Sequence, residues 1–249
     1  MEQKDALLAR MDDLAEKAAK SGCAASRFLT PAEAHSVTMH FTKRRDVTLT
    51  FDGGYEGAER VRAVFLNPDR GEYARDRLFY AFKIEIPLQE TVRHSDILGA
   101  VMALGIERSV IGDILESPAV LICLPEMSAY ITENLTKAGR AGIRLTKMDL
   151  SEIPSATENL SVRTDTVASL RLDAVLGAAF GLSRGKAVYL IEIGRVSLNH
   201  EVCLQPAKDV REGSILSVRG LGRAKLLEIG GVSKKKRTFI KIGLYGRQK

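Results

Sequence analysis

A chain of 249 residues, 45% apolar and 27% charged, can build two or three small cores, which excludes wholesale disorder. Three scattered cysteines (Cys23, Cys123, Cys203) without a CxxC exclude a disulfide framework and a zinc site, and they suit a reducing cytoplasm. The net charge of +6 is unevenly spread: residues 1–162 carry 20 Lys and Arg against 24 Asp and Glu, and residues 163–249 carry 17 against 7.

The first twenty residues alternate charges with Leu7, Leu8, Met11, Leu14 and Ala18, which predicts an amphipathic helix rather than a signal peptide. Thr30-Pro31-Ala32-Glu33 is a capping box with proline at the first helical position, so a helix should run from there to Phe41. Val47, Leu49 and Phe51 alternate as a strand, Gly53-Gly54 makes a loop, and Val61, Ala63 and Phe65 alternate again. Asn67-Pro68-Asp69-Arg70-Gly71 is a turn. Residues 1–75 are therefore expected to form a small N-terminal α/β unit.

Residues 76–150 follow the order strand, helix, strand, strand, helix, strand. Strands are expected at 78–86, 112–115, 119–124 and 143–148, and helices at 96–104 and from Pro125 to Gly139. The apolar run 97–106 within this region carries Gly99 and Gly105 and is too short to span a membrane. The order is the ferredoxin-like split βαβ that RNA-recognition domains also use. The aromatic-rich strand that stacks bases is missing, and Tyr80 and Phe82 alone read better as core. A Ser-, Thr-, Glu- and Pro-bearing linker is expected over 151–162. The fold class is thus α+β: an α/β unit, a ferredoxin-like middle domain, and a basic two-helix plus β-strand domain over 163–249.

In that last domain Leu172, Val175, Leu176 and Ala179 lie at helical spacing, and Gly181 stops the helix. Ser183 is a natural N-cap for a second helix with Ala187, Leu190 and Ile191 on its buried face, closed by Gly194. Strands are expected from Val196, over 215–219, over 224–229 and over 238–245, with Gly230-Gly231 as a turn. Arg171, Arg184, Lys186 and Arg195 find no apolar face to join, so they should stand exposed near one another. Arg219, Arg223, Lys225 and the tract Lys234 to Arg237 extend the positive surface. A domain with a net charge of +10 repels itself unless it meets a polyanion. Guanidinium forks clamp phosphate with two hydrogen bonds, and the open N–H groups of a helix N-terminus attract the same group. Ser183 can both cap its helix and reach a phosphate or a ribose hydroxyl.

The run Arg171-Leu172-Asp173, Leu182-Ser183-Arg184, Ala187, Ile191, Gly194-Arg195-Val196 and Leu198-Asn199 resembles the RNA-binding domain first defined in ribosomal small-subunit protein four. The wider chain resembles the YlmH family of bacterial ribosome-associated proteins. Segments carrying that likeness include Arg27-Phe28-Leu29-Thr30, Gly53-Gly54-Tyr55, 94–100, Gly112-Asp113-Ile114 and Ser217-Val218-Arg219-Gly220. Two turns depart from the pattern, with Asn199-His200 where Asn-Gly is usual and Gly213-Ser214 where Gly-Asp is usual. The resemblance implies binding to ribosomal RNA on the large ribosomal subunit, beside a peptidyl-tRNA left by a stall, in ribosome-associated quality control.

The expected RNA-binding residues are Arg171, Ser183, Arg184, Lys186, Arg195, Asn199, Arg219 and Arg223. No catalytic residue, metal or cofactor is expected, and the protein is expected to be a cytoplasmic monomer. Reversing Arg171 and Arg184 together should abolish subunit association and leave the fold intact. Two rival classes are an RNA-modifying enzyme and a membrane-surface division adaptor. Arg171-Leu172-Asp173 imitates the catalytic motif of pseudouridine synthases but lacks the preceding glycine, and no glycine-rich loop of a methyltransferase follows a strand.

Overall fold

A computed structural model of the chain describes residues 2–42, 44, 46–155, 160–233 and 235–245. The chain divides into two compact units, Met1–Ala156 and Thr157–Lys249. The expected linker is shorter than its composition suggests. Leu150–Glu152 forms a 3-10 turn, Ile153 is buried in the first unit's core, and a strand starts at Leu160.

The first unit begins with α1 (Glu2–Ser21), β1 (Cys23–Leu29), α2 (Pro31–Phe41), β2 (Thr48–Asp52) and β3 (Val61–Leu66). Met11, Ala15 and Ala18 form the apolar stripe of α1 and join Val37, Phe41 and Phe65 in one core. Both halves of the capping box at the head of α2 are made, the Thr30 hydroxyl accepting from Glu33 N and Glu33 accepting from Thr30 N. The sheet order is β1-β3-β2, antiparallel throughout. Strand β1 carries no alternating signal in its Cys-Ala-Ala-Ser start, because small residues have weak β preference. Tertiary contacts hold it: Ala63 N donates to the Ser26 hydroxyl at 2.9 Å, and the Arg62 guanidinium donates to Ser26 O.

The same unit continues through α3 (Arg75–Leu78), β4 (Tyr80–Glu85), α4 (His94–Ala103), β5 (Ile111–Glu116), β6 (Ala119–Cys123), α5 (Ser128–Asn134), β7 (Lys137–Ala138), β8 (Ala141–Gly142) and β9 (Arg144–Met148). The four-stranded sheet has the order β5-β6-β4-β9 with antiparallel pairs, the ferredoxin-like arrangement. Helix α5 stops at Asn134, short of the expected Gly139, which instead turns the β7–β8 hairpin with φ +59. The two sheets belong to one compact unit because their cores merge. Phe28 of β1 packs on Phe79 with ring centroids 5.8 Å apart, and a Cβ at Gly112 would meet the Phe28 ring at 2.7 Å. Buried Asp113 accepts from the Tyr55 hydroxyl at 2.9 Å and from Glu59 N and Arg60 N at 2.7 and 3.0 Å. Those bonds pin the 53–60 loop to the ferredoxin-like sheet.

The second unit comprises β10 (Leu160–Val167), α6 (Leu172–Phe180), α7 (Arg184–Glu192), β11 (Val196–Leu198), β12 (Glu201–Val202), β13 (Ile215–Val218), β14 (Gly222–Val232) and β15 (Thr238–Tyr245). Its six strands lie in the order β10-β15-β14-β13-β11-β12. Leu172, Val175, Leu176 and Ala179 of α6 and Ala187, Leu190 and Ile191 of α7 share a core with Val196, Leu216, Val218, Ala224 and Leu226. The two helices therefore cover one face of the sheet. Gly181 ends α6 in the left-handed region at φ +66, where a side chain would be strained. Gly230-Gly231, expected as a turn, lies inside β14, which runs to Val232 with register shifts near those glycines. Beyond β14, Lys236 N and Arg237 N donate to the carbonyl and hydroxyl oxygens of Ser233, respectively, ahead of β15. Among the described residues no single helix is long and apolar enough to cross a membrane; α6 and α7 are bent apart by 114°.

Candidate nucleic-acid interface

Helix α6 starts at a closed end. Arg171 is its N-cap without a side-chain cap bond, and Leu172 N and Asp173 N donate to Lys208 O and Pro206 O at 2.8 and 3.1 Å. Asp173, in the first turn, is wholly shielded from solvent. Its carboxylate accepts from Arg171 Nε at 3.1 Å and Nη2 at 2.9 Å, from Arg184 Nε at 3.4 Å, and from Ala174 N at 2.9 Å. The hydrogen bonds from Arg171, aided by the charge of Arg184, hold the carboxyl below the usual carboxylate range against the opposing effect of burial. Arg184 remains 73% exposed although one nitrogen reaches Asp173. One buried carboxylate thus orients two guanidiniums from different helices.

Helix α7 starts at an open end. The Ser183 hydroxyl accepts from Lys186 N at 3.3 Å, and Ser183, Arg184, Gly185 and Lys186 are all exposed. A helix start leaves its leading N–H groups without intrahelical partners, so the backbone here adds partial positive charge to that of the side chains. The Lys186 ammonium sits 5.2 Å from the Tyr189 ring centroid. The expected grouping of Arg195 with these residues does not hold. It follows the far end of α7, and a nine-residue helix separates the two ends by about 14 Å.

Arg195 instead joins Arg219 and Arg223 around an open groove of about 550 Å³. Arg219 N donates to Arg195 O at 3.0 Å, which ties the two rim positions together. Arg223 is half-buried, with its guanidinium 5.0 Å from the Tyr245 ring centroid. Asn199, expected as a ligand group, holds a turn in the structure. With His200 it makes the β11–β12 turn, both at positive φ (49° and 70°), and its carboxamide oxygen accepts from Ile215 N at 2.9 Å. That side chain holds the turn to β13, and it performs the job that asparagine does in primed hairpin turns. Of the basic tract, Lys234 lies outside the described residues; Lys235 and Lys236 are exposed, and Arg237 donates to the Thr166 hydroxyl at 3.0 Å.

The expected cations therefore form two groups, one at the open start of α7 and one around the groove. Asp173, which is not among the residues expected to bind RNA, organises the first group by holding Arg171 and Arg184. In the ferredoxin-like sheet Phe82 is 1% exposed, and Tyr80 is half-buried with Lys147 Nζ 5.6 Å from its ring centroid. Those two aromatics offer no open stacking platform. Among the described residues no cluster of His, Cys, Asp or Glu could hold a metal ion.

Residues 78–152 match the family model described as "Putative RNA-binding domain in YlmH", and residues 3–70 match the one described as "YlmH, N-terminal". The chain is 37% identical over 216 residues to the ribosome-associated protein quality control protein P2 of Bacillus subtilis (strain 168), covering 84% of this chain and 82% of that protein. Among solved structures, the cell division protein ylmH from Streptococcus pneumoniae aligns with a TM-score of 0.47 at 21% identity, over 61% of this chain and 90% of that one.

Proposed function

The chain belongs to the YlmH family, and from that premise we propose that it grips structured RNA on the large ribosomal subunit without doing chemistry on it. The RNA is ribosomal or transfer RNA, and the setting is quality control of stalled peptidyl-tRNA complexes. The name of the Bacillus subtilis relative supports the setting. The observation that carries the RNA grip is the pair of cationic groups in the second unit, within residues 163–249, whose charge is 17 against 7. At the start of α7, Arg184 and Lys186 clamp phosphate beside the open backbone N–H groups, with Ser183 at hand for a ribose hydroxyl. Arg195, Arg219 and Arg223 supply a second contact, about one helix length away, so a folded RNA is held at two points.

Two further observations support this reading. Asp173, which sits where a modifying enzyme of similar motif would carry its nucleophile, is shielded from solvent and engaged by two guanidiniums. It cannot reach a base in that state. The apolar faces of α6 and α7 are turned into the unit's own core, which leaves of their large apolar side chains only Tyr189 and Ile193 exposed for a lipid surface. In this reading the protein acts in the cytoplasm as a monomer and needs no cofactor.

Binding that rests on phosphate contacts weakens steeply with salt. If about five phosphates are neutralised, log K falls against log salt with a slope of about −4, so a roughly fourfold rise in salt costs about two orders of magnitude in affinity. Fluorescence anisotropy with a ribosomal RNA fragment at several salt concentrations measures the slope. A slope near zero contradicts the reading.

A further inference from the structure

The groove beside Arg195, Arg219 and Arg223 has a construction that phosphate binding alone does not require. Directly paired residues of adjacent strands share a face of the sheet. Val202 pairs with Ser197, Ser197 with Ser217, and Ser217 with Arg223, so these four form one row across β12, β11, β13 and β14. Their chain neighbours Val196, Leu216, Val218 and Ala224 point the other way, into the core under the helices. The row therefore lies on the face that the helices leave open. Its two middle members are small hydroxyl side chains, and its ends are Val202, 63% exposed, and Arg223. Strands about 4.8 Å apart set those ends roughly 14 Å from each other.

The rim is equally distinctive. Gly220 and Gly222, at φ +90 and +119, let the chain turn tightly around Leu221, which is left 38% exposed. Arg195 and Arg219 stand beside it at the groove's edge. Cations at the rim, aliphatic walls and a hydroxyl floor match the parts of one nucleotide: phosphate, base face and base edge. A base inside a duplex cannot enter, because both its faces are stacked and its pairing edge is occupied.

We infer that this groove seats a single unstacked nucleotide of the bound RNA, its base over Ser197 and Ser217 and its phosphate at Arg195 and Arg219. The inference rests on the RNA-binding reading above and adds to it the kind of RNA element selected, a bulge or loop rather than a continuous helix. The floor serines donate or accept at the base edge, and Val202 and Leu221 cover its face.

The test uses the full chain and two RNA hairpins that differ only by one bulged 2-aminopurine. Wild type should bind the bulged hairpin at least about fivefold more tightly, as expected when one base face is buried against Val202 and Leu221, and binding should change the 2-aminopurine fluorescence. Ser217→Ile fills the floor with an apolar side chain that strands accept, and Val202→Ala removes a wall at an exposed position without adding charge. Both variants should bind the two hairpins equally, with the affinity of wild type for the paired one. Equal binding of both hairpins by wild type overturns the groove assignment and leaves the RNA grip standing. A preference that survives in both variants also overturns it. If wild type binds neither hairpin, the RNA-binding reading fails and the groove assignment fails with it.

Discussion

Replacing Lys186, Arg195 and Arg219 together by glutamate should lower affinity for ribosomal RNA by at least about a hundredfold while the second unit stays folded. All three side chains are exposed. Lys186 lies over the Tyr189 ring at the surface, and Arg195 and Arg219 are joined through backbone atoms, a bond that does not depend on their side chains. Each reversal removes an attraction for phosphate and adds a repulsion, and the three sites sample both cationic groups. Anisotropy titration reads the affinity, and circular dichroism with thermal melting checks the fold. Unchanged affinity in a folded triple variant contradicts the proposed interface.

Reversal of Arg171 and Arg184 to glutamate should instead unfold or strongly destabilise the second unit. The sequence suggests that these are surface cations whose reversal spares the fold; their contacts with Asp173 argue for the opposite outcome. Both hold Asp173, which has no solvent contact, and the double variant would place two carboxylates against a third. Leaving the Asp173 carboxylate buried and unpaired costs about 3–5 kcal/mol, a large share of the stability of a domain this size. A denaturant titration of the second unit's unfolding reads the loss, and an unchanged midpoint would contradict the role of Asp173. The same pairing sets a pH dependence of known sign. Because the folded state depresses the Asp173 carboxyl, its stabilisation is present above the ordinary value of about 3.9. It is lost as pH falls through the lower folded value.

Local signals in the chain account for most of the helices. The Thr30 capping box, the Ser183 cap, the Gly181 stop and the apolar spacing of α6 and α7 act within a few residues, and each appears where the residues suggest. The split βαβ order is legible too, since apolar residues recur along β4, and β5 and β6 are buried for most of their length. Strands β1 and β10 were not. The first begins with small residues and the second is polar along most of its length, and each is specified by the partner beside it, β3 and β15. Gly230-Gly231 suggests a turn by composition, yet the β14–β15 pairing carries the strand through it. The candidate site divides the same way. The start of α7 follows from local sequence, whereas the groove depends on a register that brings together positions 195, 202, 217 and 223, which no local pattern links.

In the proposed function the second unit, rather than the ferredoxin-like sheet of the first, makes the main grip on RNA. Ultraviolet crosslinking of the full chain to ribosomal RNA, followed by identification of the crosslinked peptides, tests it directly. The dominant crosslinks should fall within residues 183–223. Crosslinks confined to residues 78–152, the stretch matched by the family's RNA-binding model, would contradict it.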